Sequence, residues 1–365
     1  MTDTFEYKCP ACGGTVEFDS KSQKMKCIYC GTEMDLGMFE KAESSDAASS
    51  SSQTSVSGGS TAQSAYRTER DDAGHAGMKI YGCQSCGAEI VAEELTGSAS
   101  CPYCGNHIVM KGVFEGTFRP DFIIPFKKDK KAAKEAYLNH LKGKSFLPKV
   151  FREENHIDEI KGIYVPFWLF SGDAEVSYSG NARKVRVWTS GNTEYTETEV
   201  WLVDRAGTAS FEFVPVNGAA KIDDALMESI EPFNSAEQVP FQKAYLSGYM
   251  ADRYDVNMEQ SFDTAAQRMK NSAMSSLYDT IQGYSVREPG VETAEVRNTK
   301  HWFALYPVWI LNTTWRGENY IFAMNGQTGK MVGDLPVDRG RFWSYTASRG
   351  VIAGIVLAVL AGFFL

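Results

Sequence analysis

Eight cysteines are the residues of this chain whose spacing most directly indicates chemistry. They form two sets with the same arrangement, in which two residues lie inside each Cys pair and fourteen residues lie between the pairs. The first set is Cys9, Cys12, Cys27 and Cys30, and the second is Cys83, Cys86, Cys101 and Cys104. Four thiolates at this spacing are typical of a tetrahedral zinc site, because each Cys-x-x-Cys turn offers two sulfurs to one ion. The sequence therefore predicts two zinc ribbons and two structural Zn²⁺ ions per chain.

The two cysteine sets resemble copies of one unit. Gly13 and Gly87 follow the second cysteine of each set, and Tyr29 and Tyr103 lie inside the last pair. Disulfides are the alternative, but they need an oxidising compartment, and we expect no signal peptide at this end of the chain. Four sulfurs leave no open coordination position, so zinc is expected to stabilise each ribbon rather than to catalyse a reaction.

The segments that must position these cysteines divide the chain into five predicted parts. They are a first ribbon at 1–42, a Ser-rich flexible linker at 43–78, a second ribbon at 79–112, an α+β domain at 113–340 and a transmembrane anchor at 343–365. The linker has ten serines between Ser44 and Ala65 and almost no large apolar side chain, so it cannot bury enough surface to fold. It either lets the first ribbon sample a wide volume or acts as an inert spacer.

The central segment predicts an antiparallel β-rich α+β domain. Five β-rich runs lie between 163 and 216, and the stretches Ser-Gly-Asn at 179–181, Ser-Gly-Asn at 190–192 and Arg-Ala-Gly at 205–207 are predicted to be turns between strands. Apolar residues at helical spacing predict helices at 127–141 and at about 258–281. No nucleophile motif or pair of histidines at i, i+4 is present, so we expect no enzymatic activity.

The C-terminal sixteen residues, 350–365, carry no charged or polar side chain. Extended back to Trp343, they are expected to form one membrane-spanning helix, with a buried core helix as the alternative. Arg339, Arg341 and Arg349 lie on its N-terminal side, which predicts a single-pass protein of the cytoplasmic membrane with its N-terminal bulk in the cytoplasm. Small residues recur every four positions and predict association of this helix with itself or with a partner's helix. They are Gly350, Gly354, Ala358 and Gly362.

The charge distribution separates two classes of partner. The chain has a net charge of -9, and residues 1–112 contain nine Lys and Arg against fifteen Asp and Glu, so we expect no strong nucleic-acid binding by the ribbons. One basic run, 127–152, has nine basic residues against Asp129 and Glu135. It is a candidate contact for a lipid bilayer or a protein partner, with a solvated helix face as the alternative. The candidate contact residues are Lys127, Lys128, Lys130, Lys131 and Lys134.

The combination of these features resembles a known bacterial family. The two ribbons, the segments YVPFWLF at 164–170 and YPVWIL at 306–311, the stretch GDLPVD at 333–338 and the apolar C-terminus are similar to TFIIB-type zinc ribbon-containing membrane proteins of the YdjG type. The resemblance implies partnership with flotillin-like (SPFH) and PspA-like proteins in an envelope-stress or membrane-organisation system. We therefore expect a membrane-anchored, non-catalytic adaptor or scaffold that recruits partner proteins. The alternative is a membrane-tethered nucleic-acid-binding protein related to transcription or replication.

Overall fold

The structure, a computed structural model, describes residues 8–39, 79–92, 100–104, 106, 108–113 and 120–364. The predicted linker at 43–78 lies outside these residues. Within them, the strands form two separate sheets, one in the first ribbon and one that spans the rest of the chain.

The first ribbon is a small antiparallel sheet in the order β1-β2-β3. Its strands are β1 (Val16–Asp19), β2 (Lys24–Cys27) and β3 (Glu33–Met34). Val16, Phe18 and Met25 are buried, whereas Glu17 and Lys24 between them are exposed, which is the alternation expected of a sheet with one covered face.

The second sheet has twelve strands among the described residues. They are β4 (Lys79–Cys83), β5 (Glu89–Ala92), β6 (Ile108–Val113), β7 (Phe122–Ile123), β8 (Lys161–Ser190), β9 (Thr193–Asn217), β10 (Val239–Pro240), β11 (Met250–Asp252), β12 (Val286–Arg287), β13 (Val291–Trp315), β14 (Glu318–Asn325) and β15 (Met331–Gly333). Its main path runs β10-β7-β13-β8-β11-β5-β4-β6. Because β5 pairs antiparallel with β11, the strands of the second ribbon continue the sheet of the central domain.

Strand β8 is the centre of the large sheet. It is 30 residues long, pairs with β13 along one edge, and pairs with β11 and then β9 along the other. Ile163, Val165 and Phe167 point into one hydrophobic cluster and Tyr164 into a second cluster on the opposite face. Burial on both faces explains why this part of the sequence is continuously apolar rather than alternating.

Two of the three predicted turns in this region are absent from the structure. The chain turns at Gly191, which has a φ of 63°, but it runs straight through 179–181 in β8 and 205–207 in β9. A Cβ on Gly180 would lie 2.5 Å from the Tyr178 hydroxyl and 3.0 Å from the Cα of Gly290. Gly180 therefore allows the Tyr178 side chain and the Gly290 backbone to approach closely inside the sheet. Besides turns, such close approaches are a common reason for glycine in strands.

The two predicted helices are confirmed. The helices are α1 (Lys130–His140), α2 (Glu154–Ile157), α3 (Asp224–Ile230), α4 (Met258–Asp279) and α5 (Arg339–Phe364), and short 3₁₀ turns occupy Lys149–Arg152, Ser235–Glu237 and Lys243–Leu246. The α1 helix begins where Asp129 accepts a hydrogen bond from the Ala132 amide at 2.8 Å, and α4 begins at Asn257 in the same way. Both helices bury the apolar face that their spacing predicted.

The expected transmembrane anchor at 343–365 is wrong. Among the described residues, no helix is both long enough and apolar enough to cross a bilayer. The first part of α5 contains most of its polar residues, and its apolar remainder, 350–364, measures about 22.5 Å at 1.5 Å per residue, against a hydrocarbon core of about 30 Å. This first part also packs on the central domain, where Phe342 and Tyr345 contact Phe146 at ring-centroid distances of 5.3 and 5.4 Å.

The predictions that depended on the anchor are corrected with it. We predicted a single-pass topology and, from it, a location at the cytoplasmic membrane. Both predictions required a spanning helix, and the described chain has none. Of the predicted ridge of small residues, Gly350 and Gly354 have no heavy atom within 4 Å of the position a Cβ would take. The side-chain surroundings of Ala358 and Gly362 lie outside the described residues.

Candidate metal centres

Each predicted set of cysteines comes together in space as one group of four sulfurs. Within each set, all four Sγ atoms lie within 4.8 Å of one another. The closest Sγ–Sγ distances are 3.4 Å for Cys12–Cys27 and for Cys83–Cys104. These distances exclude disulfides, whose S–S bond is about 2.05 Å, and match the edges of a tetrahedron with Zn–S bonds of about 2.3 Å. The chain therefore has two four-cysteine sites, each able to hold one structural Zn²⁺ ion.

Each Cys-x-x-Cys turn is held by the same backbone hydrogen bond. The amide of the first cysteine in each pair donates to the carbonyl five residues later, over 2.7–3.0 Å. The four bonds are Cys9 to Gly14, Cys27 to Thr32, Cys83 to Ala88 and Cys101 to Asn106. Gly13 and Gly87, which follow the first pair of each set, have φ values of 72° and 74°, which residues with a β-carbon rarely adopt, so glycine suits this position of the turn.

The electrostatics of the first site favour a bound cation. The side chain and backbone amide of Thr32 lower the pKa of the Cys30 thiol to about 6, and the Cys30 amide lowers the pKa of Cys27. The Gly14 amide also lowers the pKa of Cys12, but the neighbouring sulfurs outweigh it and raise that pKa to about 12. Several thiolates this close repel one another, and a divalent cation between them removes the repulsion. The donor set thus fits zinc.

The second ribbon is fixed to the central domain through its last knuckle, the turn at 101–104. Tyr103 is buried, its hydroxyl donates to Asp252 of β11, and its carbonyl accepts from Asn312 of β13. Lys161, at the start of β8, donates to the carbonyl and hydroxyl of Ser100. Burial raises the pKa of Asp252 to about 7, although the hydrogen bond from Tyr103 opposes the shift. Sequence reasoning missed Asp252 and Asn312, because both lie far along the chain from the cysteines they support.

The first ribbon contacts the central domain through its β1–β2 hairpin. The Ser247 hydroxyl donates to the Val16 carbonyl at 2.7 Å, and the Phe18 amide donates to the Ser247 carbonyl at 3.2 Å. Gln23 donates to the Phe126 carbonyl at 2.8 Å. The Phe18 ring also meets Tyr245 edge to face at 5.1 Å. The ribbon is therefore docked on the central domain, which disagrees with the wide sampling volume that was one of the two roles considered for the linker.

The knuckles of the two ribbons differ in exposure. Tyr29 and Tyr103 occupy the same place in the motif, yet Tyr29 is 74% exposed and Tyr103 is 4% exposed. Cys12 and Cys30 of the first site are also exposed, whereas no cysteine of the second site is more than partly exposed. One side of the first site, with Cys12, Cys30 and Tyr29, is thus exposed, whereas Cys9 and Cys27 are buried in the cluster that includes Ala244 of the central domain.

The lysines of the predicted basic run lie at the start of α1 and just before it. Lys127 pairs with Glu237 at 2.6 Å, and Lys134 pairs with Asp158. Lys130 and Lys131 are exposed, and Lys128 is partly buried. The structure therefore brings acidic residues from elsewhere in the chain to a run that looked strongly basic in the sequence.

Comparison with known proteins places the chain in a family. No family model matches it, and no solved structure is significantly similar to it. A protein of Bacillus subtilis (strain 168), named "Uncharacterized protein YdjG", is 31% identical over 356 residues, which cover 97% of this chain and 96% of that protein. A similarity of this degree over nearly the whole of both chains includes the ribbons as well as the central domain. The chain therefore belongs to the YdjG family.

Proposed function

We propose that this protein is a non-catalytic adaptor or scaffold that binds other proteins through the exposed knuckles of its first zinc ribbon. The observation that carries the proposal is the contrast between Tyr29 and Tyr103. In the second ribbon, the knuckle tyrosine is buried against protein and donates to a carboxylate. In the first ribbon, the equivalent tyrosine is exposed, and its neighbour Ile28 is 54% exposed.

The second ribbon indicates what kind of surface such a knuckle fits. Tyr103 inserts its ring into an apolar cluster and finds a hydrogen-bond acceptor at the far end. Tyrosine is suited to this use because a large apolar ring ends in a polar hydroxyl, and it is enriched in protein interfaces for that reason. A partner of the first ribbon would offer Tyr29 a similar apolar recess with a carboxylate or carbonyl at its end.

The zinc ion has a structural part in this proposal. A site with four sulfur ligands has no position open for a substrate or a water molecule, so the ion would hold the knuckle in shape. Gly14 supports the same arrangement, because a Cβ at that position would lie 2.4 Å from the Tyr29 ring. The Tyr29 ring thus lies against the turn that follows Cys9 and Cys12 and is held in place before any partner binds.

Nucleic-acid binding, the alternative function, has less support. Three of the four lysines in the described part of the first ribbon are paired with carboxylates, which leaves little unbalanced positive charge for phosphate. The pairs are Lys21–Asp129 at 2.7 Å, Lys24–Asp35 at 3.1 Å and Lys26–Glu33 at 3.3 Å.

A binding measurement with purified components tests the adaptor proposal. The flotillin-like (SPFH) and PspA-like proteins that the family resemblance implies are the first candidates. Each is titrated against the full-length wild type, the Tyr29→Ala variant and a matched control, Tyr195→Ala, which removes another exposed tyrosine. We expect binding to the wild type and the control and a loss of at least about tenfold for Tyr29→Ala, which is typical of an interface anchor.

Two results would count against the proposal. Equal binding by Tyr29→Ala and the wild type, with two zinc ions retained in both, would exclude the turn at 27–30 of the first ribbon as the contact. Submicromolar binding of duplex DNA at physiological salt, lost in Tyr29→Ala, would instead favour the nucleic-acid alternative.

A further inference from the structure

The two metal sites differ in how readily a small molecule in solution reaches their sulfurs. In the first site, Cys12 and Cys30 are exposed, and Cys9 and Cys27 are buried. In the second site, two cysteines are buried and the other two are only partly exposed. A polar oxidant therefore reaches two cysteines of the first site directly, whereas the fold covers every cysteine of the second site at least in part.

Each exposed sulfur of the first site has a buried sulfur as a close neighbour. The Cys30 Sγ lies 3.6 Å from the Cys9 Sγ, and the Cys12 Sγ lies 3.4 Å from the Cys27 Sγ. A disulfide bond is about 2.05 Å long, so each pair must close by roughly 1.5 Å to form one. An accessible thiolate beside a second thiolate that can complete a disulfide is typical of oxidation-sensitive sites.

The second site has similar distances between sulfurs, but its last turn is anchored. Its closest pairs of Sγ atoms are 3.4 and 3.6 Å apart. The turn at 101–104 is bonded to β11 and β13 through Tyr103, and Ser100, directly before the turn, is bonded to Lys161 of β8. Closing a pair of sulfurs in this site would strain or break these bonds to the central domain.

The equivalent turn of the first site, 27–30, has no such anchor among the residues that the structure describes. The hydrogen bonds that the structure gives it all go to its own ribbon. The Ile28 amide donates to the Thr15 carbonyl at 3.3 Å, and the Cys30 sulfur contacts the Thr32 hydroxyl at 3.1 Å. This side of the first site can therefore move without breaking a hydrogen bond to the central domain.

We propose that the first metal site is an oxidation site, at which hydrogen peroxide converts the four cysteines into two disulfides and the zinc ion is released. The second site keeps its ion under the same conditions. The pairs that close are Cys9 with Cys30 and Cys12 with Cys27, because each joins an exposed sulfur to a buried sulfur no more than 3.6 Å away.

Each disulfide consumes one molecule of peroxide in two steps. An exposed thiolate attacks one peroxide oxygen, so that an S–O bond forms, the O–O bond breaks and hydroxide leaves. The neighbouring thiolate then attacks that sulfur, so that the S–S bond forms, the S–O bond breaks and a second hydroxide leaves. The two sulfurs together lose two electrons, which the two peroxide oxygens gain.

Oxidation should also disturb the shape of the first ribbon. Zinc binds thiolates, and sulfurs that have formed disulfides no longer hold the ion. Cys9 and Cys27 belong to the buried cluster that contains Ala244 of the central domain, so their movement disturbs the docked face of the ribbon. The Tyr29 contact would then be lost as well. That last consequence rests on the proposed function, whereas release of the ion does not.

Zinc release from the full-length, zinc-loaded chain tests the proposal. The protein is treated with hydrogen peroxide in the presence of a chromogenic zinc chelator, and a parallel sample receives the chelator alone. Cys27→Ser and Cys101→Ser, which each remove one ligand from one site, assign the phases of release to the two sites. Differential alkylation and peptide mass spectrometry of the wild type locate the disulfides, and this measurement does not depend on the folding of either variant.

We expect the wild type to release one ion per chain at least about tenfold faster than the other, with disulfides only among the first four cysteines when the fast phase ends. Cys27→Ser should lack the fast phase, and Cys101→Ser should lack the slow one. The chelator alone should leave both ions bound over the same period. Dithiothreitol followed by zinc should restore the first site.

Retention of both ions in peroxide, or release of both at the same rate, would overturn the proposal. So would faster release from the second site, equally fast release without peroxide, or release while the first four cysteines remain thiols. None of these outcomes depends on whether Tyr29 binds a partner, so failure of this proposal and failure of the adaptor proposal are separate results.

Discussion

At the scale of single residues, the cysteines are the part of the site that sequence alone could establish. Their spacing determined both the number of sites and their ligands, because the knuckle geometry is local and needs only the residues within each turn. The contrast between Tyr29 and Tyr103 could not be predicted, because the two motifs are the same at this position. Tyr103 is buried and bonded to Asp252 and Asn312, and both of these residues lie far from the cysteines in sequence.

The two zinc sites should differ in how much of the molecule depends on them. We expect Cys27→Ser and Cys101→Ser each to reduce the zinc content from two ions to about one. Cys101→Ser should lower the free energy of unfolding of the central domain, because β4–β6 continue its sheet, whereas Cys27→Ser should leave that domain folded. Zinc analysis and thermal unfolding measure the two effects. Loss of both ions from either variant would contradict independent sites.

The buried carboxyl of Asp252 makes a prediction about pH. Its pKa is raised from 3.8 to about 7, so the folded state binds this proton more tightly than the unfolded state does. The resulting stabilisation is present at low pH and is lost as the pH rises from about 4 to about 7, with a slope of at most about 1.4 kcal/mol per pH unit.

The variant Asp252→Asn isolates this effect because it keeps a neutral side chain of the same shape. We expect the wild type to lose stability relative to Asp252→Asn across that window and the difference to level off above about pH 7. Denaturant unfolding of both proteins at a series of pH values measures it, with the exposed Asp204→Asn as a control. A difference that does not change with pH would show that Asp252 stays ionised throughout.

At the scale of elements, periodicity predicted the helices better than the strands. The apolar spacing in α1 and α4 is set by contacts that each helix makes along one face, and it identified both. The strand boundaries were predicted less well because Gly180 and Gly207 look like turn residues. In the structure, Gly180 lies against Tyr178, and a Cβ on Gly207 would lie 3.9 Å from Leu277 of α4. The close approach of Gly290, whose Cα would lie 3.0 Å from a Cβ on Gly180, requires the first glycine and is not visible in the local sequence, whereas the surroundings of Gly207 leave room for a Cβ.

The docking of the first ribbon depends on Ser247, which is fully buried and donates to the Val16 carbonyl. We expect Ser247→Ala to leave both zinc ions bound and to weaken docking by about 1–3 kcal/mol, because a buried carbonyl then lacks its donor. Hydrogen exchange of the amides in β1 should accelerate correspondingly. The control, Ser210→Ala, removes a hydroxyl that binds Asp173 on the exposed side of the sheet. Unchanged exchange in Ser247→Ala would show that other contacts hold the ribbon.

At the scale of the whole molecule, the sequence predicted the kinds of parts but not how they join. The β-rich domain and the two four-cysteine sites are confirmed, whereas the spanning helix was wrong. The apolar run at 350–365 was interpreted by composition alone, and composition does not reveal that the preceding turns of α5 pack on Phe146. The first ribbon likewise docks through Ser247 and Phe126. Both residues are more than a hundred positions away from the ribbon in sequence, so no local pattern could predict the contact.

The far end of the β8–β9 hairpin, residues 184–199, should be dispensable for folding. Replacing residues 184–199 by a short glycine-containing turn removes exposed side chains only, so we expect the free energy of unfolding to change by no more than about 1 kcal/mol. Denaturant unfolding measures this effect. A large loss of stability would show that this end of the hairpin supports the central domain.

The central position of β8 also has a consequence for the order in which the chain is synthesised. From Phe167 onward, one edge of β8 is covered by β9, which follows after a two-residue turn, but the other edge must wait for β13. The ribosome makes β13 more than a hundred residues later, which at roughly 5–20 residues per second leaves that edge open for on the order of ten seconds. During this interval the nascent chain presents an apolar strand with unpaired amides and carbonyls, the kind of surface on which chaperones act and neighbouring chains aggregate.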